Sequence, residues 1–128
     1  MGDAGLRAAA LVAFVATRDL QRAASFYGGV LGLDELEPNA FARAFDAGGT
    51  PVRVTRVADH EAAAHTVLGW SVPDLEEAID VLAGRGVEVL RYDGLEQDRR
   101  GIWTAPGGTR VAWFSDPDGN VLSLSHAP

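Results

Sequence analysis

Two stretches decide the fold. Residues 11–33 read LVAFVATRDLQRAASFYGGVLGL, and residues 66–87 read TVLGWSVPDLEEAIDVLAGRGV. Each starts with an apolar run of strand length. An aspartate then follows, Asp19 in the first stretch and Asp74 in the second. An aspartate there suits a helix N-cap, because its carboxylate accepts backbone N–H groups that have no partner within the first turn. Glu77, three residues after Asp74, completes a capping-box pattern. Leu20, Ala23, Ala24, Tyr27, Val30 and Leu31 recur at helical spacing, as do Leu75, Ala78, Ile79 and Leu82. Gly32 stands where the first helix should end, and Gly84 or Gly86 ends the second.

Further strands follow in the same order in both halves. The first half offers Asp34 to Glu37, Ala40 to Asp46 and Pro51 to Val57, with Gly48-Gly49 as a hairpin turn. The second offers Val87 to Arg91, Arg110 to Ser115 and Val121 to Ser125, with a tight turn at Asp116-Pro117-Asp118-Gly119-Asn120. Superposed on Asp19 and Asp74, and on Phe45 and Phe114, the second half is longer by about 14 residues, all between Arg91 and Thr109. An internal duplication of this length governs the whole fold. It predicts an α+β chain of two tandem βαβββ modules, about residues 10–58 and 65–126, within a single domain spanning 1–128. The two sheets would form a curved eight-stranded cup with the helices outside.

Composition narrows the chemistry. The 128 residues are 47% hydrophobic, and no apolar run reaches the roughly 20 residues of a membrane span. The apolar run Ala8 to Ala16 reads as a buried strand, not as a leader. The net charge of −7 repels phosphate backbones, which argues against nucleic acid as a partner. Cysteine is absent, so disulfides, thiolate metal sites and cysteine nucleophiles are excluded, and a cytoplasmic location fits. All 11 basic residues are arginine, so lysine Schiff-base chemistry is excluded as well. The turn at Asp116 fails as an EF-hand loop, because Val121 and Ala127 stand where Gly and Glu are required. Gly84-Arg85-Gly86 lacks a dinucleotide fingerprint, and Ser123, Ser125 and His126 make no triad signature.

The ordered set Asp19, Ser25-Phe26-Tyr27, Leu31-Gly32-Leu33, Val72-Pro73-Asp74, Gly84-Arg85-Gly86-Val87 and Phe114 to Asn120 resembles the vicinal oxygen chelate superfamily of glyoxalases, bleomycin resistance proteins and dioxygenases. The resemblance covers about residues 10 to 126. It implies the cup described above and a homodimer. In the family's enzymes a divalent metal is held by His, Gln or Glu from the first and last strand of each module. Those positions fall here on Val12, Val67 and Ser123, and on a fourth strand within Gly48 to Val57 that has no Asp, Glu, His or Cys. The expectation is therefore no metal, no cofactor and no catalytic residue. His65 could reach the mouth of the cup as a proton donor or could be a surface residue at a strand end. His60 reads as solvated and His126 as part of a fraying terminus.

Strand alternation sorts what the cup holds. Phe14, Val67, Gly69, Ser71, Val111, Trp113 and Ser123 face it, together with Ala16, Ala42 and Ala44, while Trp70 and Phe114 pack under the helices. Trp103, in the long insertion, is either part of a lid or a plug for a core gap. The predicted ligand is a hydrophobic or aromatic small molecule. Sequestration of a natural product, as in antibiotic resistance, is the first reading. The alternative is a glyoxalase-like lyase or isomerase, or a dioxygenase-type enzyme, with an atypical site.

Overall fold

The computed structural model describes residues 5–36 and 42–128. It divides into two compact units, Met1–His60 and Glu61–Pro128, called module 1 and module 2 below.

Module 1 begins with β1 (Ala13–Thr17), followed by α1 (Leu20–Ala24). Asp19 caps α1, its carboxylate accepting from the Arg22 backbone N–H at 3.0 Å. The helix then widens. Residues Ser25–Val30 form a π-helical turn, in which Leu31 N–H donates to the Phe26 carbonyl at 2.9 Å, so the single continuous helix expected here is α-helical only to Ala24. The widening brings the adjacent Phe26 and Tyr27 both into the interior, with their rings edge to face at 5.2 Å. A regular 100° step would separate neighbouring side chains more widely. Gly32 then takes φ +76°, as its place at the helix end required.

β2 (Asp34–Glu35), β3 (Ala42–Ala47) and β4 (Thr50–Arg56) complete the sheet in the order β1-β4-β3-β2. Glu37 and Ala40, the expected limits of the second and third strands, lie outside the described residues. β3 and β4 are joined by Gly48-Gly49, with φ +63° and +97°. Two consecutive positive φ values define the hairpin turn whose twist matches that of its strands, and glycine adopts them without steric cost. Ladder partners place Val15, Phe45, Val52 and Val54 on the helix side, where all are buried.

Module 2 repeats the scheme with β5 (Thr66–Ser71), α2 (Leu75–Ala83), β6 (Trp103–Thr104), β7 (Arg110–Ser115) and β8 (Val121–His126), ordered β5-β8-β7-β6. Asp74 caps α2 through the Glu77 N–H at 3.0 Å. Leu75 and Ile79 of α2 are buried, as are Ala112, Phe114, Leu122 and Leu124 of the sheet. Burying each large apolar side chain stabilises the module by about 1.5–3 kcal/mol. The turn after β7 is held by Asp116, whose carboxylate accepts from the backbone N–H of Asp118 and Asn120 and from the Asn120 side-chain amide.

Three further readings require correction. The apolar run Ala8 to Ala16 is a strand only from Ala13, and Leu11, Val12 and Phe14 are exposed. Val87 to Arg91 is not a strand, and the partner of β7 is β6, inside the insertion. Leu90 N–H donates once to the Trp113 carbonyl, but the Gln97 amide takes the Leu90 carbonyl at 2.9 Å and accepts from Tyr92 N–H at 2.8 Å. A side chain thereby occupies the backbone groups that a ladder would have used. His126 does not fray. It closes β8 opposite Arg110, and its Nδ1 lies 2.8 Å from the Val72 carbonyl. Among the described residues no helix is long and apolar enough to cross a membrane.

Candidate functional site

Seven of the eight expected ligand residues belong to module 2, and ladder register shows how they are grouped. Gly69 pairs with Ser123, Ser123 with Trp113, and Val111 with both Ser125 and Trp103. Partners across a ladder point to the same side. Gly69, Ser71, Val111, Trp113 and Ser123 therefore share one face, opposite the buried Ala112, Phe114, Leu122 and Leu124. A Cβ on Gly69 would stand 2.6 Å from Ser123 Oγ. The space that glycine leaves is thus taken by the serine hydroxyl.

Val67 departs from the pattern. The register shifts between Thr66 and Leu68, so Val67 is the extra residue of a bulge and alternation no longer sets its direction. It is 37% exposed. The same bulge removes the argument that placed His65 on the inner side; His65 is exposed and precedes β5.

Trp103 is not a buried core plug. It is half-buried on β6, with its ring 6.0 Å from that of Trp113 and tilted by 33°. Tyr92, which sequence reasoning missed, packs edge-on against Trp113 at 5.5 Å. Nothing in periodicity marks Tyr92, because its segment has no regular structure. Around these rings the insertion is held to its own module. Gln97 also donates to the Gly101 carbonyl, Asp98 accepts from Arg100 and Ile102 N–H, and Ile102 is buried. Arg100 forms a fork to Asp80 of α2 at 3.1 Å, and Arg110 forms one to Glu76 at 2.6 and 3.0 Å. The Arg110 guanidinium holds the Glu76 carboxyl down to about 2, and Arg100 lowers that of Asp80.

Module 1 contributes Phe14, 65% exposed on the face away from the helix. Ala16, Ala42 and Ala44 share that face, as expected, and so do Arg53 and Thr55. On the opposite side, Gln21, Ala24, Ser25 and Arg43 line an open depression of about 340 Å³. Two of its polar side chains are engaged locally: Ser25 Oγ donates to the Gln21 carbonyl, and Arg43 pairs with Glu35.

The positions at which the resemblance would place a metal do not fit one. Val12 and Val67 offer methyl groups, Ser123 a neutral hydroxyl, and the outward residues of β4 are Pro51, Arg53 and Thr55. Among the described residues no group of three or more His, Cys, Asp or Glu could hold a metal ion. Alkyl groups, a neutral hydroxyl and a guanidinium are not divalent-cation ligands.

The sequence model of the Glyoxalase/Bleomycin resistance protein/Dioxygenase superfamily matches residues 9–124. No curated protein matches the chain. Among solved structures, a member of that superfamily from Sphaerobacter thermophilus is 25% identical, with a TM-score of 0.72 over 94% of this chain and 98% of the other. A lactoylglutathione lyase from Agrobacterium tumefaciens is 17% identical, with a TM-score of 0.71 over 93% of both chains. A fosfomycin resistance protein from Listeria monocytogenes is 16% identical, with a TM-score of 0.71 over 92% of both.

Proposed function

The chain belongs to the Glyoxalase/Bleomycin resistance protein/Dioxygenase superfamily, and on that premise we propose that it binds a hydrophobic or aromatic small molecule without a metal. One observation carries this reading: the open face of module 2 presents two indoles in contact, Trp103 and Trp113, beside a row of serine hydroxyls. A planar molecule laid on this face gains ring contact, and the hydroxyls orient its polar edge. The strands of this face offer rings and neutral hydroxyls, which suits retention of a ligand, with sequestration of a natural product as its use. A homodimer is part of the proposal, as is a cytoplasmic location, which the absence of cysteine fits.

The test is a tryptophan-fluorescence and thermal-shift titration with a panel of neutral planar aromatics, alongside elemental analysis of protein purified without chelators. Saturable quenching with less than 0.1 equivalent of metal is expected. One equivalent of tightly held metal together with turnover of a glutathione hemithioacetal would refute the reading.

A further inference from the structure

The charge of the chain is unevenly divided. Residues 1–60 hold six arginines and seven acidic residues, whereas residues 61–128 hold five arginines and 11 acidic residues. Nearly all of the net −7 therefore resides in the module that carries the aromatic face. On that face the strand side chains are Thr66, Gly69, Ser71, Trp103, Val111, Trp113, Ser115, Val121, Ser123 and Ser125, and none is charged. The arginines of the insertion and of β7 have partners off the strands of this face, and the charge of Arg99 acts on Asp80. Arg91 donates to the Arg99 carbonyl at 2.6 Å, Arg100 is held by Asp80 and Arg110 by Glu76.

Three rings meet at one corner of this face. Trp113 lies at the centre, with Trp103 tilted beside it and Tyr92 nearly perpendicular at 86°. The indoles are half-buried and Tyr92 is 38% exposed, so ring surface remains open to a ligand. Trp103 and Trp113 are too close, and too far from parallel, for a ring to slide between them. What the corner offers is the electron-rich faces of indoles with a phenol wall. Aromatic faces attract cations through their quadrupoles, most strongly for indole. An acidic module raises the local concentration of cations and repels anions.

We propose that the corner formed by Tyr92, Trp103 and Trp113 recognises a small organic cation, such as an alkylated ammonium or protonated amine carried on an aromatic ring. This rests on the module 2 face being the binding face and specifies the charge of its ligand. It also excludes classes: phosphates, phosphonates, sulfonates and carboxylates find no cationic side chain on that face.

The experiment titrates the full chain with three probes of similar shape, phenyltrimethylammonium, its neutral isostere tert-butylbenzene, and benzenesulfonate, following tryptophan fluorescence and heat. The cation is expected to bind roughly fivefold or more tighter than the isostere, and the anion more weakly than both. Tyr92→Leu should cut the cation-to-isostere ratio about threefold, and Tyr92→Phe should keep it. Tyr92 is 38% exposed, and the melting temperature of each variant checks that the fold is kept. Equal or tighter binding of the neutral isostere overturns the cation inference and leaves the aromatic binding face standing. Failure of all three probes, together with the neutral panel above, overturns both. A cation preference that vanishes in 0.5 M salt and ignores Tyr92→Leu and Trp103→Leu would mean diffuse attraction to an acidic surface, and would overturn the assignment to this corner.

Discussion

Modules 1 and 2 are the same frame built twice and finished differently. In both, an aspartate caps the helix through the N–H three residues on, at 3.0 Å. In both, the first strand pairs in parallel with the last. The divergence lies on the open faces. Module 1 presents Phe14, small alanines and Arg53; module 2 presents two indoles, a phenol and serines, with no charged strand residue. The difference teaches that duplicated positions are kept where they close hydrogen bonds or fill the interior. Positions that point away from the helix are free to specialise.

If the frames are equivalent, matched substitutions should give matched effects. The largest test compares Phe45→Ala with Phe114→Ala, since both rings are buried at corresponding places. Each should cost about 3–5 kcal/mol in denaturant unfolding. A loss confined to one of them would break the equivalence. The next test contrasts the open faces. Trp113→Leu should weaken an aromatic ligand roughly tenfold, or about 1.4 kcal/mol, and Phe14→Leu should weaken it less. Equal losses in calorimetric titration would assign binding to both faces. Asp19→Ala and Asp74→Ala follow, each expected to lower stability by about 1 kcal/mol through loss of the cap. Unequal losses would show that the two helices are not equally dependent on their first turn.

The smallest expected effect concerns pH. Arg110 holds Glu76 at about 2, below the ordinary value of 4.5. The ionised form is therefore favoured by folding. This contribution is fully present above the ordinary value and is lost as pH falls towards 2. Glu76→Gln should flatten the fall in melting temperature between about pH 4.5 and 2. The pair is exposed, so the change should be slight and should shrink with added salt. A variant melting curve parallel to that of the parent across this range would separate Glu76 from the acid transition.

The frame was legible in the sequence because its determinants are local. Asp19, Asp74, Gly32 and the Gly48-Gly49 turn act within four residues, and alternation along β7 and β8 identified the sides of Trp113, Phe114 and Ser123. What stayed hidden depends on single side chains reaching irregular backbone. Gln97 bonds to Leu90, Tyr92 and Gly101, and it removed an expected strand without leaving any periodic trace. The bulge at Val67 shifts a register that only its partner strand reveals. Tyr92 joined the candidate site through a ring contact across the insertion, which no spacing encodes.

The parallel pairing of first and last strands also bears on how cheaply a module can grow. Ala13 meets Val52 in module 1, and Thr66 meets Val121 in module 2, so the chain closes a loop of about 39 residues in one and about 55 in the other. Closure entropy rises only with the logarithm of loop length, at about 0.6 kcal/mol per doubling. The longer circuit therefore costs roughly 0.3 kcal/mol more than the shorter one, which is less than one capping bond contributes. A strand pair that closes at its far ends leaves its middle open to new chain, and in module 2 that middle supplies Tyr92 and Trp103.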